Sequence, residues 1–336
     1  MTVVGPFGLS VRDQALEADV QAGLAAVEEG LLEATKSEVP FITEAAQHLV
    51  RAGGKRFRPL LVALAAQFGD PYAPGIVPSA VVVELTHLAT LYHDDVMDEA
   101  AVRRGVPSAN ARWGNSVAVL TGDFLFARAS HILADLGPEA VRVQAEAFER
   151  LVTGQILETA GPTDGRDPVE HYLDVLAGKT GSLVAVACRF GAMMSGADET
   201  VVDVLTQYGE RLGVAFQLAD DVLDIASDSH ESGKTPGTDL REGVPTLPVL
   251  RLRERAARLS LPEDIALCEL LDSDLSDDDR LAEALEALRA HPALEQARRD
   301  TVRYAKDARS ALAPLRECDA KAALLELCDA VVHRAG

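Results

Sequence analysis

Aromatic residues are scarce in this 336-residue chain: one Trp, five Tyr and nine Phe, 4% of the sequence. An aromatic-rich core is excluded. The 48% of apolar residues are mostly Ala, Leu and Val, which suits many closely packed helices. Cysteine is equally sparse. Cys188, Cys268, Cys318 and Cys328 have no metal-ligand spacing and read as buried, reduced thiols of a cytoplasmic protein. Positive charge is in deficit, with 32 Lys and Arg against 53 Asp and Glu and a net charge of −21. That balance argues against nucleic acid or an anionic membrane surface as main partner. No run approaches the ~20 apolar residues of a membrane span, and Met1-Thr-Val-Val-Gly-Pro lacks the basic and apolar regions of a secretory signal. A soluble protein is expected. No strong strand signal, internal linker or low-complexity segment appears, so residues 1–336 are expected to form a single domain.

What is present is a repeated acidic run. Leu91-Tyr-His-Asp94-Asp95-Val-Met-Asp98 and Phe216-Gln-Leu-Ala-Asp220-Asp221-Val-Leu-Asp224 each contain Asp-Asp-x-x-Asp, 126 residues apart, and each ends an apolar helix-patterned stretch. Residues four apart share a helix face, so Asp94 lies over Asp98 and Asp220 over Asp224. Like charges at that spacing repel, and Asp is a poor helix former. A cation among them makes sense of the pattern. With no His or Cys in ligand spacing, a hard ion such as Mg²⁺ is favoured, completed by water and substrate phosphate. Two such helices would clamp a Mg²⁺-diphosphate. A single copy would read as a solvated acidic helix end, and neither copy has the alternating ligands and turn glycine of an EF-hand.

Helices are predicted over 11–36, 40–51, 57–68, from the Pro71, Pro74 and Pro78 loop to Asp98, around Gly122 and Arg128, and over 138–160, 168–190 and 198–225. Gly53-Gly54 followed by Lys55-Arg56-Phe57-Arg58 can bring backbone and side-chain donors to an anion; alone, it reads equally as a helix C-cap with a basic turn. His87 lies two turns before Asp94 on the same face, where a satisfied core histidine is the competing reading. Arg103-Arg104-Gly105 can offer bidentate contacts to diphosphate or be an exposed basic turn. Gly178-Lys179-Thr180-Gly181 lacks P-loop spacing and by itself is better read as structural. The polar stretch from Ser227 to Val244, with Lys234, suits a mobile lid. Ser276-Asp277-Asp278-Asp279 reads as a helix N-cap with acids in the first turn.

Together, Gly53-Gly-Lys-Arg-Phe-Arg-Pro59, His93-Asp-Asp-Val-Met-Asp98, Arg103-Arg-Gly105 and Phe216-Gln-Leu-Ala-Asp-Asp-Val-Leu-Asp224 resemble the trans-polyprenyl diphosphate synthases, the head-to-tail isoprenoid elongases. The resemblance runs from about residue 40 to 250. It implies an all-α isoprenoid synthase fold of about ten helices around a deep cavity, usually as a homodimer. It also implies that Asp94, Asp98 and Asp220 bind Mg²⁺, up to three ions per site, with Asp95, Asp221 and Asp224 ligating or supporting. Arg103, Lys179, Thr180, Gln217 and Lys234 would hold the allylic diphosphate, and Lys55, Arg58, His87 and Arg104 isopentenyl diphosphate. No protein nucleophile is required for such chemistry.

Product length can be argued along the helix bearing Asp94, because one turn rises ~5.4 Å, about one prenyl unit. The floor positions are Leu85, Thr86, Ala89 and Thr90, none aromatic. The tunnel is therefore expected to pass farnesyl and geranylgeranyl depth, giving about six to ten prenyl units. The Ala89 and Thr90 pair also resembles long-chain members that make quinone side chains, such as that of menaquinone. Competing readings are a short-chain farnesyl or geranylgeranyl synthase, a terpene cyclase, which would lack the isopentenyl site, and a non-catalytic subunit of a heteromeric synthase, which would be expected to lose one acidic cluster.

Overall fold

Prolines and short acids set the helix starts. Pro40 and Pro168 occupy first-turn positions, where a missing N–H costs nothing. The Asp167 carboxylate accepts from the Val169 and Glu170 N–H groups, and Asp277 does the same for Asp279 and Arg280, so the 276–279 acid run is the predicted cap. Pro78 lies inside the first helical turn of its element rather than in the preceding loop, tolerated for the same reason as at Pro40.

The computed structural model describes residues 2–4, 9–11, 14–163, 165–227 and 236–335. Among them are α1 (Gln14–Ala34), α2 (Pro40–Arg51), α3 (Phe57–Ala66), α4 (Ile76–Met97), α5 (Ala109–Trp113), α6 (Asn115–Leu136), α7 (Pro138–Ala160) and α8 (Pro168–Leu176). A π-helical turn, Ala177–Gly181, follows. Then come α9 (Ser182–Met194), α10 (Glu199–Ala226), α11 (Thr238–Arg241), α12 (Leu247–Leu259), α13 (Pro262–Leu271), α14 (Asp278–Ala290), α15 (Pro292–Ala311) and α16 (Asp319–Ala335). The fold is all-α, as expected. The helices outnumber the expected ten because several connections form short helices of their own and 168–190 divides at the π turn. Among the described residues, strand is confined to two antiparallel pairs, Thr2–Val4 with Leu9–Val11 and Val102–Arg103 with Val106–Pro107.

Two compact units make up the chain. The first comprises Met1–Glu149, Ser182–Gly209 and Ala311–Glu326; the second comprises Arg150–Gly181, Glu210–Ser310 and Leu327–Gly336. In the first, α4 packs against α1, α3, α6 and α9. Its Leu85, Leu88, Ala89 and Tyr92 are fully buried, and a helix apolar on most sides is one enclosed by neighbours. The Tyr92 hydroxyl, buried with them, donates to the Ala45 carbonyl at 2.6 Å. In the second unit, α12 packs on α8 and α13, and α13 on α14, over a core that includes Leu212, Val222, Ile225, Leu247 and Leu288.

None of the four cysteines forms a disulfide; Cys188 and Cys328 are buried, and Cys268 and Cys318 partly so. Contrary to the run-length reading, two helical stretches reach the length and mean hydropathy of a membrane crossing, Asn115–Leu136 and Pro168–Met194. The second is mostly buried, as the core helix of a globular fold would be.

Candidate active site

The C-terminal end of α4 carries the first acidic cluster. Asp94 is half-buried and Asp98 exposed, while Asp95 is fully buried. Arg103 donates from Nε to Asp95 Oδ1 at 2.5 Å, and the other oxygen, Oδ2, is buried without a hydrogen-bond partner. Burial pushes the Asp95 carboxyl up despite the Arg103 guanidinium. Asn110 ties the Asp95 carbonyl to α5 at 3.0 Å. Thus Asp94 and Asp98 reach outward while Asp95 is braced from behind. Arg103, expected at the allylic diphosphate, is the brace.

Arg103 ends the first strand of the 102–107 hairpin, and Arg104 opens its turn. Arg104 (φ 52°) and Gly105 (φ 75°) both have positive φ, the requirement of a tight two-residue hairpin turn. The turn sends Arg104 inward, where Nη1 donates to the Leu49 carbonyl at 3.0 Å and also to Gly53 O. Gly53 (φ 86°) and Gly54 (φ 151°) supply the backbone freedom for this approach; a Cβ on Gly54 would lie 2.9 Å from the Arg104 guanidinium.

Around that loop lies a cluster of cations. Arg56 is almost wholly buried and engaged by protein: Glu28 of α1, the Val50 carbonyl and Glu84 of α4, the last at 3.0 Å. Arg58 is different. Its Nε is buried with no hydrogen-bond partner, and burial lowers the guanidinium pKa to about 10. His87, on α4, is held well below the usual histidine range by burial, with Arg58, Arg104, Arg103 and Arg56 adding to the shift. It is therefore neutral at pH 7, and an N–H donor rather than a cation. Lys55 is exposed at the rim. Arg58, His87 and Arg104 thus share one electrostatic neighbourhood with an unsatisfied buried donor, a constellation suited to a polyanion.

In the second unit the same exposure pattern recurs. Asp221 is buried, while Asp220 and Asp224 are partly exposed. Gln217 donates to Asp221 Oδ1 at 3.2 Å and its own Oε1 accepts from Thr180 at 3.4 Å. This joins α10 to the π turn. Lys179 pairs with Glu158 of α7 at 2.6 Å. Asp224 accepts from the backbone N–H groups of Thr238 and Asp239, at 3.3 and 3.2 Å, and so caps α11. Asp220 is paired with Arg334 near the C-terminus at 2.6 Å. Lys234 and the rest of residues 228–235 of the predicted lid lie outside the described residues.

Sequence reasoning passed over Glu84, Glu158 and Arg334, and read Arg56 among the anion-facing cations whereas it is engaged by Glu28 and Glu84. A signal existed for the first: Glu84 is a lone acid within the apolar run Ala80-Val-Val-Val-Glu-Leu, and a buried charge requires a partner. Among the described residues no three acidic, His or Cys side chains converge into a closed metal site. The donors fit an ion that takes one or two carboxylates from the protein and the rest of its shell from water and phosphate.

The Polyprenyl synthetase family profile matches residues 39–288. The chain belongs to this family. Nonaprenyl diphosphate synthase of Mycobacterium tuberculosis is 48% identical over 98% of this chain and 97% of its own length. Among solved structures, geranylgeranyl pyrophosphate synthase of Corynebacterium glutamicum, complexed with calcium and isoprenyl diphosphate, superposes with a TM-score of 0.87 at 44% identity, covering 98% of this chain and all of that one. A decaprenyl diphosphate synthase of Rhodobacter capsulatus gives 0.86 at 36% identity over 96% of this chain and 99% of its own. The match extends this polyprenyl synthetase's resemblance past residue 250, and the isoprenoid synthase fold is shared along nearly the whole chain.

Proposed function

We propose that the protein is a Mg²⁺-dependent prenyltransferase that condenses isopentenyl diphosphate with farnesyl or geranylgeranyl diphosphate into a long-chain all-trans polyprenyl diphosphate. The observation that carries this reading is the buried, unpartnered Arg58 Nε beside a neutral His87 and Arg104, on the flank of the helix that bears Asp94 and Asp98. It supports a diphosphate subsite and a metal-binding carboxylate pair within one unit. The nonaprenyl and decaprenyl relatives support the long-chain product.

In this reading Asp94, Asp98 and Asp220 hold Mg²⁺, up to three ions per site, with Asp95, Asp221 and Asp224 in support. The ion supplies Lewis acidity toward the leaving diphosphate. Arg103, Lys179, Thr180, Gln217 and Lys234 orient the allylic diphosphate; Lys55, Arg58, His87 and Arg104 fix isopentenyl diphosphate. The allylic C1–O bond breaks, the isopentenyl double bond attacks C1, and a proton leaves C2 to the departed diphosphate. The side chains contribute placement and charge rather than covalent chemistry.

We further read residues 1–336 as one functional domain of a cytoplasmic homodimer. Leu120 and Val119 stand exposed on α6, an apolar face that a second copy would cover. The product would serve a quinone side chain such as that of menaquinone. A short-chain product is the second reading, favoured by the likeness to geranylgeranyl pyrophosphate synthase. Purified chain incubated with Mg²⁺, farnesyl diphosphate and labelled isopentenyl diphosphate decides, after sizing of the dephosphorylated products. About six to ten prenyl units are expected by the turn-per-unit argument. Products stopping at four units, one addition to the primer, select the short-chain reading; no elongation without a second protein selects a non-catalytic or partner-dependent subunit.

A further inference from the structure

Glu84 lies on α4, 2% exposed, one turn before His87. Its Oε1 accepts from Arg56 Nη1 at 3.0 Å and lies 3.8 Å from Arg104 Nη2. Its charge also acts on Arg58. One buried carboxylate thus lies among three guanidinium groups from two separate segments. Two of the three have other tethers. Arg56 is tied down by Glu28, Val50 O and Gly53 O, which leaves it no donor to spare for a ligand. Arg104 is pinned through Nη1 to the end of α2. Neither tether supplies charge to Arg58 or to the outer nitrogen of Arg104.

The arginines oppose one another: Arg104 lowers the pKa of Arg58, and Arg56 and Arg103 lower that of Arg104. Glu84 is the carboxylate that acts in the other direction on both. Its acid partner in the cluster, Glu28, is half-exposed and reaches Arg56 alone. The remaining charged or titratable groups of this neighbourhood are Lys55, exposed beside the loop, His87 and Tyr92 of α4 and Arg103 of the hairpin. None of these can supply a negative charge at neutral pH.

We infer that Glu84 is a positioning residue for the isopentenyl diphosphate subsite, the buried counter-charge that holds Arg56 and Arg104 in register and offsets the mutual repulsion of Arg56, Arg58 and Arg104 beneath the bound diphosphate. Glu84 itself touches no substrate. An excess of positive charge remains over it, so the site still calls for a polyanion. This inference rests on the assignment of Arg58 and Arg104 to isopentenyl diphosphate.

The test is steady-state kinetics on the full chain with Mg²⁺, farnesyl diphosphate and isopentenyl diphosphate, with KM resolved for each substrate and kcat/KM for isopentenyl diphosphate followed up to pH 10.5 or so. Glu84→Gln preserves shape and removes charge. It is expected to raise KM for isopentenyl diphosphate by about tenfold or more while kcat and KM for farnesyl diphosphate stay within about threefold. Its alkaline limb moves to lower pH, because Arg58 loses a charge that raises its depressed pKa. Glu84→Asp keeps the alkaline limb of the wild type but raises KM about threefold or more, its carboxylate being withdrawn by one methylene. Glu28→Gln, which also removes an acid from Arg56, leaves both quantities unchanged. A folded Glu84→Gln with KM within about twofold of wild type and an unmoved alkaline limb overturns the inference. If Glu84→Gln does not fold, an unchanged KM in Glu84→Asp overturns it. Arg58→Ala separates the two levels. Should it too leave KM for isopentenyl diphosphate unchanged, the subsite assignment itself fails; should it raise that KM while Glu84→Gln does not, only the role of Glu84 fails.

Discussion

Gln144 of α7 donates from Nε2 to Thr86 Oγ1 of α4 at 2.9 Å, a bond buried in the first unit. Thr86 in turn donates to the Val82 carbonyl, and Gln144 Oε1 is left buried without a partner. Thr86 is one of the expected floor positions, eight residues or about 12 Å of helix before Asp94. If the growing tail follows α4 as proposed, this polar pair would stand across its path. Leu85 and Ala89 are fully buried beside it. Replacing Gln144 with Leu removes an unpaired amide oxygen and leaves the Thr86 hydroxyl bonded to Val82. Stability should hold or rise by about 1 kcal/mol in urea melts, and chromatography should show longer products. Ala89→Phe, which adds bulk one turn nearer to Asp94, should shorten them. Unchanged product length in both variants would remove α4 from the lining of the tail's path.

Gly154 of α7 meets the π turn backbone to backbone. A Cβ there would lie 2.7 Å from the Lys179 nitrogen and 3.1 Å from the Gly178 carbonyl carbon. Gly154→Ala must therefore displace the turn, costing about 1–3 kcal/mol. If Lys179 and Thr180 hold the allylic diphosphate, KM for that substrate rises much more than KM for isopentenyl diphosphate. An equal rise in both, or in neither, separates the turn from allylic binding.

The depressed His87 pKa fixes a direction for acid sensitivity. In the unfolded chain His87 titrates near the ordinary 6.5, whereas the folded site keeps it neutral well below that. The contribution is fully present above pH 6.5 and is lost as pH falls, because the unfolded state then binds a proton that the folded state refuses. The slope is about 1.4 kcal/mol per pH unit for one proton. Denaturant titrations from pH 8 down to the onset of acid unfolding should show His87→Gln losing stability less steeply than wild type by that one-proton slope. Parallel curves would mean that His87 is protonated in the folded site.

Several of these features were legible in the residues and others were not, for identifiable reasons. The bounds of α2 and α7 matched the expected 40–51 and 138–160, because a proline at the start of each and an apolar period mark them. The Asp277 cap was equally readable, since its oxygen needs only local N–H groups. The π turn at Ala177–Gly181 was not: an extra residue in one turn barely disturbs helical periodicity over 168–190. Nor was the Arg56–Glu84–Arg104 cluster, assembled from positions up to 48 residues apart, or the inward turn of Arg104, which depends on a positive φ at a non-glycine residue. The motifs located the cations, but packing on α4 determined which were already spoken for by protein carboxylates.

Arg334 illustrates the same limit at the far end of the chain. Its guanidinium donates to Asp220 Oδ1 at 2.6 Å and stacks 4.8 Å from the centre of the Phe216 ring, so a C-terminal side chain sits on a carboxylate assigned to Mg²⁺. Both groups are only about a quarter exposed, so the attraction of the pair is largely offset by the cost of desolvating it. Its consequence is competition: a metal ion must displace the guanidinium or share the carboxylate with it. Arg334→Gln removes the charge while keeping length. The Mg²⁺ concentration for half-maximal activity should fall about two- to fivefold, equivalent to about 0.4–1 kcal/mol, with the melting temperature unchanged in the absence of Mg²⁺. A rise in that concentration would instead make Arg334 a helper in the binding of the metal-diphosphate, supplying positive charge to the phosphate oxygens rather than withholding Asp220 from the ion.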